Sequence, residues 1–254
     1  MQLQCNGLST HYEQTGQGKD ILMLHGWGAS GQSFDCLVGR LSTAYRVTTL
    51  DFPGFGQSEL PPEPWDVEAY ARFTLSFMQA VGLSDPILIG HSFGGRVILK
   101  LCGTGRVSPE KIVLLDAAGI RHKRSFAARC KVACFKTAKW ALTRRPWQKA
   151  CQPTLERVRR YFGSADYNSA PPVLRQTLVR VVNEDLRDCL PHIAAPTLLV
   201  YGERDTATPV SDAKLMQKML PDGGLCVIPE AGHWAFAERP AHVLSILDSF
   251  LEIH

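Results

Sequence analysis

The chain contains no apolar run that reaches the roughly 18–20 residues of a membrane span, which excludes an integral helical membrane protein. Its opening stretch, "MQLQCNGLSTHYEQTGQG", has neither a basic leader nor an apolar core, so no signal peptide is expected. It has no internal repeat, no low-complexity tract and no CxxC pair, which excludes solenoids, disordered linkers and redox or zinc-ribbon chemistry of that spacing. The cysteines Cys5, Cys36, Cys102, Cys130, Cys134, Cys151, Cys189 and Cys226 are scattered. Without an export signal they read as reduced thiols in a cytoplasmic protein. Cys130 and Cys134 lie one helical turn apart near His122 and Cys151, but small apolar residues on a helix face account for them without a metal.

What is present is an ordinary globular composition in 254 residues, enough for one large domain or a domain with an insertion. Charge is unevenly placed. Residues 121–160 hold 13 Lys and Arg against one acid, Glu156, a net +12, while the remainder carries 15 basic and 23 acidic residues, a net −8. The block contains no recognisable nucleic-acid module, and a nucleic-acid partner is not expected. A solvated basic face, an anionic substrate, or contact of the amphipathic stretch "SFAARCKVACFKTAKWAL" with an acidic membrane surface each accommodate it.

The first third alternates strands and helices. Two short N-terminal stretches, divided after Ser9, read as a hairpin. "DILMLHG" (Asp20–Gly26), "YRVTTLDFPGFG" (Tyr45–Gly56), "PILIGHS" and "KIVLLDAAG" (Lys111–Gly119) read as buried strands, with helices over Asp66–Leu83 and in "FGGRVILKLCG". This is the rhythm of a parallel sheet covered on both faces. From about Ile120 to Pro191 strand signals stop and three helical stretches follow, the last being "PPVLRQTLVRVVNEDLRDCL". Strands return at "PTLLVYGERD" and "GLCVIPEAGH", with a helix "SDAKLMQKML" between them and a final amphipathic helix "AHVLSILDSFLEIH". The expected organisation is an α/β core of residues 1–119 and 191–254, split by a helical insertion at 120–190 that is longer than an ordinary connection.

Gly90-His91-Ser92-Phe93-Gly94 matches G-x-S-x-G between a strand and a helix, the context in which a serine is held out as a nucleophile. A hydroxyl needs a base, and the base an orienting acid. Both are expected just past the C-terminal ends of later strands, where open α/β sheets build their sites. Asp205 after "TLLVYGER" and His233 after "LCVIPEAG" occupy such places, in the order Ser, Asp, His. Asp116, at the end of "IVLLD", competes with Asp205 for the role of acid. The oxyanion of such a reaction needs backbone N–H donors. The amide of Phe93 supplies one, and the amide of Trp27 in "HGWGAS" the other. This chemistry needs no metal and no organic cofactor.

A dinucleotide site is the rival. "GWGASG" (Gly26–Gly31) is a G-x-G-x-x-G after a strand, with Asp51 at the end of the next one, which fits an NAD-binding oxidoreductase by spacing. It leaves Ser92, Asp205 and His233 without a role.

Taken together, "HGWGAS", "DFPGFGQS", "GHSFGG", "GERDTATP" and "GHWAF" stand in the order and spacing of the α/β-hydrolase superfamily, and the chain resembles its serine esterase-like branch. The resemblance implies an eight-stranded, mostly parallel sheet with helices on both faces, and residues 120–190 as a helical cap over Ser92. It implies hydrolysis of a carboxylic ester or thioester of a small-molecule substrate through an acyl-enzyme, and leaves the oligomeric state open. The carbon–carbon bond hydrolases of this fold also use serine. Their oxyanion loop is usually of a Gly-Pro-Gly type with a downstream Asn, both of which "HGWGASGQSF" lacks.

Overall fold

In the computed structural model, residues 1–121 and 164–253 are described, together with Thr137, Trp140 and Thr154 between them. The expected helices within 125–145 and 153–163, the cysteine and histidine group around Cys130, and most of the basic block lie outside the described residues.

The chain begins with a hairpin of β1 (Gln2–Cys5) and β2 (Leu8–Thr15), in which Cys5 pairs with Leu8. The two-residue turn is Asn6-Gly7, with φ of 49° and 79°. Positive φ at both positions gives the tight turn whose twist matches the strands, and Asn-Gly is its strongest local signal. The hairpin therefore turns three residues earlier than composition alone suggested.

Six parallel strands follow in the sheet: β3 (Lys19–Leu24), β4 (Tyr45–Leu50), β5 (Ile87–His91), β6 (Ile112–Leu115), β7 (Thr197–Gly202) and β8 (Gly223–Ile228). The order across the eight-stranded sheet is β1-β2-β4-β3-β5-β6-β7-β8, antiparallel only at β1–β2 and β2–β4. Alternate residues feed two separate cores. Leu22, Leu24, Leu88 and Leu114 face one, and Ile21, Met23, Ile89 and Val113 face the other. Both faces are buried, which is why these strands read as continuous apolar runs instead of alternating ones.

On the first face lie α2 (Val67–Ala80) and α3 (Phe93–Gly103). Asp66 caps α2 by accepting from the Ala69 amide at 2.8 Å, and Gly82 stands past its end at φ 71°. On the second face lie α1 (Asp35–Leu41) and the last helix, which is numbered below. Helix α1 spans barely two turns and includes Gly39, too short to show a helical period in the sequence.

Between β6 and β7, α4 (Ala165–Ser169) and α5 (Pro172–Asn183) are described. Helix α5 places Leu174, Leu178 and Val181 in the first core, and its Thr177 hydroxyl accepts from the Trp65 amide at 3.0 Å. It stops at Glu184, where the backbone turns extended, and a 3-10 helix at Arg187–His192 follows. The expected single helix over 171–190 is thus two pieces, the second containing Pro191. The chain ends with α6 (Val210–Met219), α7 (Ala235–Glu238) and α8 (Pro240–Leu251).

This topology decides where a site can form. From β3 the chain crosses to β4 on one side, and from β5 it crosses to β6 on the other. The carboxyl ends of β3 and β5 are therefore left uncovered at a switch in strand order. Helix α3 starts there, pressed against β3: a Cβ on Gly94 would lie 1.9 Å from the Leu24 carbonyl oxygen, a backbone atom with no freedom to yield. Gly94→Ala is expected to destabilise the fold by about 1–3 kcal/mol or more, as overpacking does. Urea unfolding checks this.

Candidate active site

Ser92 is the residue between β5 and α3, and its backbone is at φ 48° and ψ −105°. A non-glycine residue there carries about 1–3 kcal/mol of strain. Local hydrogen bonds offset it. The Ser92 amide donates to the Leu115 carbonyl at 3.0 Å, and the Ser92 carbonyl accepts from Ala118 at 3.0 Å and Arg96 at 3.2 Å. At about 0.5–1.5 kcal/mol each, these bonds are of the size needed to hold the turn.

Two later loops meet this serine. His233, in the loop after β8, has Nε2 3.0 Å from Ser92 Oγ and Nδ1 2.8 Å from Asp205 Oδ2. Asp205, in the loop after β7, is fully buried at its side chain. Its Oδ1 accepts from the amides of Ala207 at 2.7 Å and Thr208 at 3.0 Å, and the Thr208 hydroxyl lies 2.6 Å from Oδ2. Burial would push the Asp205 carboxyl up, but the hydrogen bonds from His233 and Thr208 outweigh it and hold the pKa below its ordinary value. Burial would likewise lower His233, and the bond to Asp205 with its negative charge reverses this, so the imidazole pKa is raised.

Asp116 has another occupation. Its two carboxylate oxygens accept from the amides of Gly202 at 2.7 Å and Ala235 at 3.1 Å, tying the end of β7 to the first residue of α7. It braces the loops that carry Asp205 and His233 from behind. Burial raises its pKa to about 7, against the pull of these two bonds.

The loop after β3 completes the site. His25 is buried, its Nδ1–H donates to the Gly26 carbonyl at 2.7 Å, and its Nε2 accepts from the Phe52 amide at 3.0 Å. Burial lowers its pKa to about 4, which keeps it neutral and preserves both bonds. Trp27 packs edge-on against Phe55 and Phe93, at 4.8 and 5.6 Å between ring centroids. Phe93 opens α3, so its amide has no acceptor within the helix. Trp27, Ser92 and Phe93 line one cavity of about 480 Å³ together with Leu178 and Val181 of α5.

His91 escaped the sequence, where it was only the variable position of G-x-S-x-G. It is buried, donates from Nε2 to the His233 carbonyl at 2.9 Å, and packs on the Trp234 ring at 4.3 Å. The residue before Ser92 thus fixes the backbone of His233. Thr208 was also missed, and its hydroxyl in "DTATP" is the only local cue.

Asp51 does not have the surroundings of a ribose-binding acid. Its carboxylate is buried and accepts from the amides of Gly31 at 2.7 Å and Gln57 at 2.9 Å, with His11 Nδ1 at 3.1 Å. Gly31 and Asp51 of the G-x-G-x-x-G pattern thus hold each other instead of a dinucleotide. No cluster of metal-ligating side chains occurs among the described residues, and no described helix is long and apolar enough to cross a membrane.

The model of the alpha/beta hydrolase family matches residues 21–245. The chain belongs to this family. Relatives of the hydrolase include the pimeloyl-[acyl-carrier protein] methyl ester esterase of Aeromonas hydrophila, 27% identical over 96% of this chain and 100% of that one. An esterase from Exiguobacterium antarcticum superposes with a TM-score of 0.78 at 24% identity, over 99% of this chain and 98% of the other. The meta-cleavage product hydrolase of Pseudomonas fluorescens shares the fold at a TM-score of 0.74 and 18% identity, over 99% and 97%.

Two pH effects follow from the site. The folded hydrolase binds a proton at Asp116 more tightly than the unfolded chain does. Stability from that group is full below the ordinary carboxylate value and is lost as pH rises towards about 7. Asp116→Asn is expected to lose less stability than the wild type between pH 4 and 7, measured by urea unfolding across that range. The His233 imidazole is expected to titrate above the ordinary 6.5, and Asp205→Asn to bring its midpoint down. Proton NMR of the histidine ring reads both.

Proposed function

We propose that the protein is a serine hydrolase that cleaves a carboxylic ester or thioester of a small molecule through an acyl-enzyme. The observation that carries this is His233, which reaches Ser92 Oγ at 3.0 Å with one ring nitrogen and Asp205 Oδ2 at 2.8 Å with the other. The ester activity named for the Aeromonas relative supports the choice of bond.

In this reaction His233 Nε2 takes the Ser92 proton as Oγ attacks the carbonyl carbon. Asp205 keeps Nδ1 protonated and stabilises the imidazolium. Negative charge on the carbonyl oxygen is met by the amides of Phe93 and Trp27. Collapse of the tetrahedral intermediate expels the alcohol or thiol, which takes its proton from His233. Water then loses a proton to His233, attacks the acyl-enzyme and releases the acid, regenerating Ser92. Because His233 must be neutral to act, activity rises with pH through its raised pKa.

Residues 120–190 would serve as the cap that selects the substrate, with α5 its contribution to the cavity wall. The buried apolar side chains of α5 suit the non-reacting part of an ester, while the core supplies the chemistry.

A p-nitrophenyl ester series from acetate to palmitate tests the activity. Ser92→Ala is expected to lose about 10⁴-fold or more in kcat and His233→Ala a similar amount. Asp205→Asn should lose roughly 10³-fold, and Asp116→Asn should affect stability more than turnover. Silence at Asp205 combined with loss at Asp116 would reassign the acid. A wild type that turns over no ester, yet retains Ser92 reactivity toward phosphonates, would move the assignment to carbon–carbon hydrolysis.

A further inference from the structure

The same cavity holds a cation that the proposed chemistry does not use. Arg96 lies on α3 one turn beyond Ser92, about 6 Å along the helix axis. It is 5% exposed on a helix whose only other charged residue is Lys100, and it lines the cavity with Ser92 and His233. Its Nη1–H donates to the Glu184 carbonyl at 2.7 Å. No protein acceptor among the described residues takes the hydrogens of Nε and Nη2.

Nor does a carboxylate pair with it among the described residues. The Glu184 carboxylate is held by Lys100 at 2.8 Å, and Asp185 is held by Arg187 at 3.0 Å. Asp166 and Asp212 line the cavity, as does the exposed Arg121, but among the described residues none forms an ion pair with Arg96. Burial lowers the pKa of Arg96 only to about 10, with the charges of Glu184 and Asp185 opposing the shift, so the guanidinium is charged at neutral pH. A buried charge that forms no ion pair among the described residues is costly, and the planar fork of arginine matches a carboxylate through two parallel hydrogen bonds.

We propose that Arg96 is the anion subsite of this cavity, and that the substrate is an ester or thioester bearing a carboxylate. This rests on the serine hydrolase assignment and names its substrate class. The alternative is a purely structural arginine that ties α3 to the Glu184 carbonyl, a bond one Nη1–H already satisfies.

Two substrate pairs test it. The first is mono-4-nitrophenyl glutarate against 4-nitrophenyl pentanoate, which places the charge on the acyl side. The second is 4-carboxyphenyl acetate against 4-methylphenyl acetate, which places it on the alcohol side. In at least one pair, wild-type kcat/KM is expected to favour the anion by a factor that falls about 10- to 100-fold in Arg96→Gln, chiefly through KM. Arg96→Lys should fall between them. Each ratio is internal to one protein sample, so partial misfolding leaves it unchanged. Equal ratios in wild type and Arg96→Gln for both pairs would overturn the proposal. Should no ester be turned over, the ester-cleaving assignment fails separately. Calorimetry with glutarate then decides the subsite: binding to the wild type that Arg96→Gln abolishes supports it, and no binding to the wild type overturns it.

Discussion

Everything at the site depends on one sharp turn. Ser92 is held at φ 48° between β5 and α3 by bonds from its own amide and carbonyl to residues at and just beyond the end of β6. That conformation lifts the hydroxyl off the strand and starts a helix under it in the same step. It also requires α3 to lie against β3, which is why Gly94 meets the Leu24 carbonyl with no room for a side chain. A hydroxyl on a flexible loop would need ordering before it could react; the ordering of Ser92 is part of folding.

Around this turn, buried titratable groups act as fixed struts. His25 holds the β3 loop to the start of the segment after β4, His91 holds the backbone of His233, and Asp116 joins the loops after β7 and β8. Burial keeps both histidines neutral, with pKa values pushed down to about 4 and 3. His233 alone among the three is pulled the other way, because a buried carboxylate faces it. The same ring chemistry thus yields two structural braces and one ring whose pKa is raised, and the difference lies in the partner each ring meets.

Much of this was legible in the chain. The strands of the sheet read as apolar runs because two cores bury both faces of the sheet. Ser92, Asp205 and His233 stood out because each follows a strand at its carboxyl end. Other parts were not legible, for local reasons. Helix α1 is too short to show a period, the hairpin turn hid in an Asn-Gly pair, and the break at Glu184 carries no Gly or Pro to mark it. His91 and Arg96 gave no signal, since each acts through a contact distant in sequence, and Thr208 offered only its hydroxyl.

The sequence by itself determined the layered architecture and nominated the nucleophile, base and acid. Strand periodicity and turn chemistry are local properties, written in neighbouring residues. Tertiary structure alone decided that His233 meets Asp205 while the oxygens of Asp116 go to backbone amides. It also decided that Arg96 lines the cavity, and that the Gly26–Gly31 loop closes on Asp51. Those outcomes depend on which atoms lie within 3 Å of each other across dozens to more than a hundred residues of chain. That proximity is set by the strand order of the folded sheet, and no local pattern encodes it.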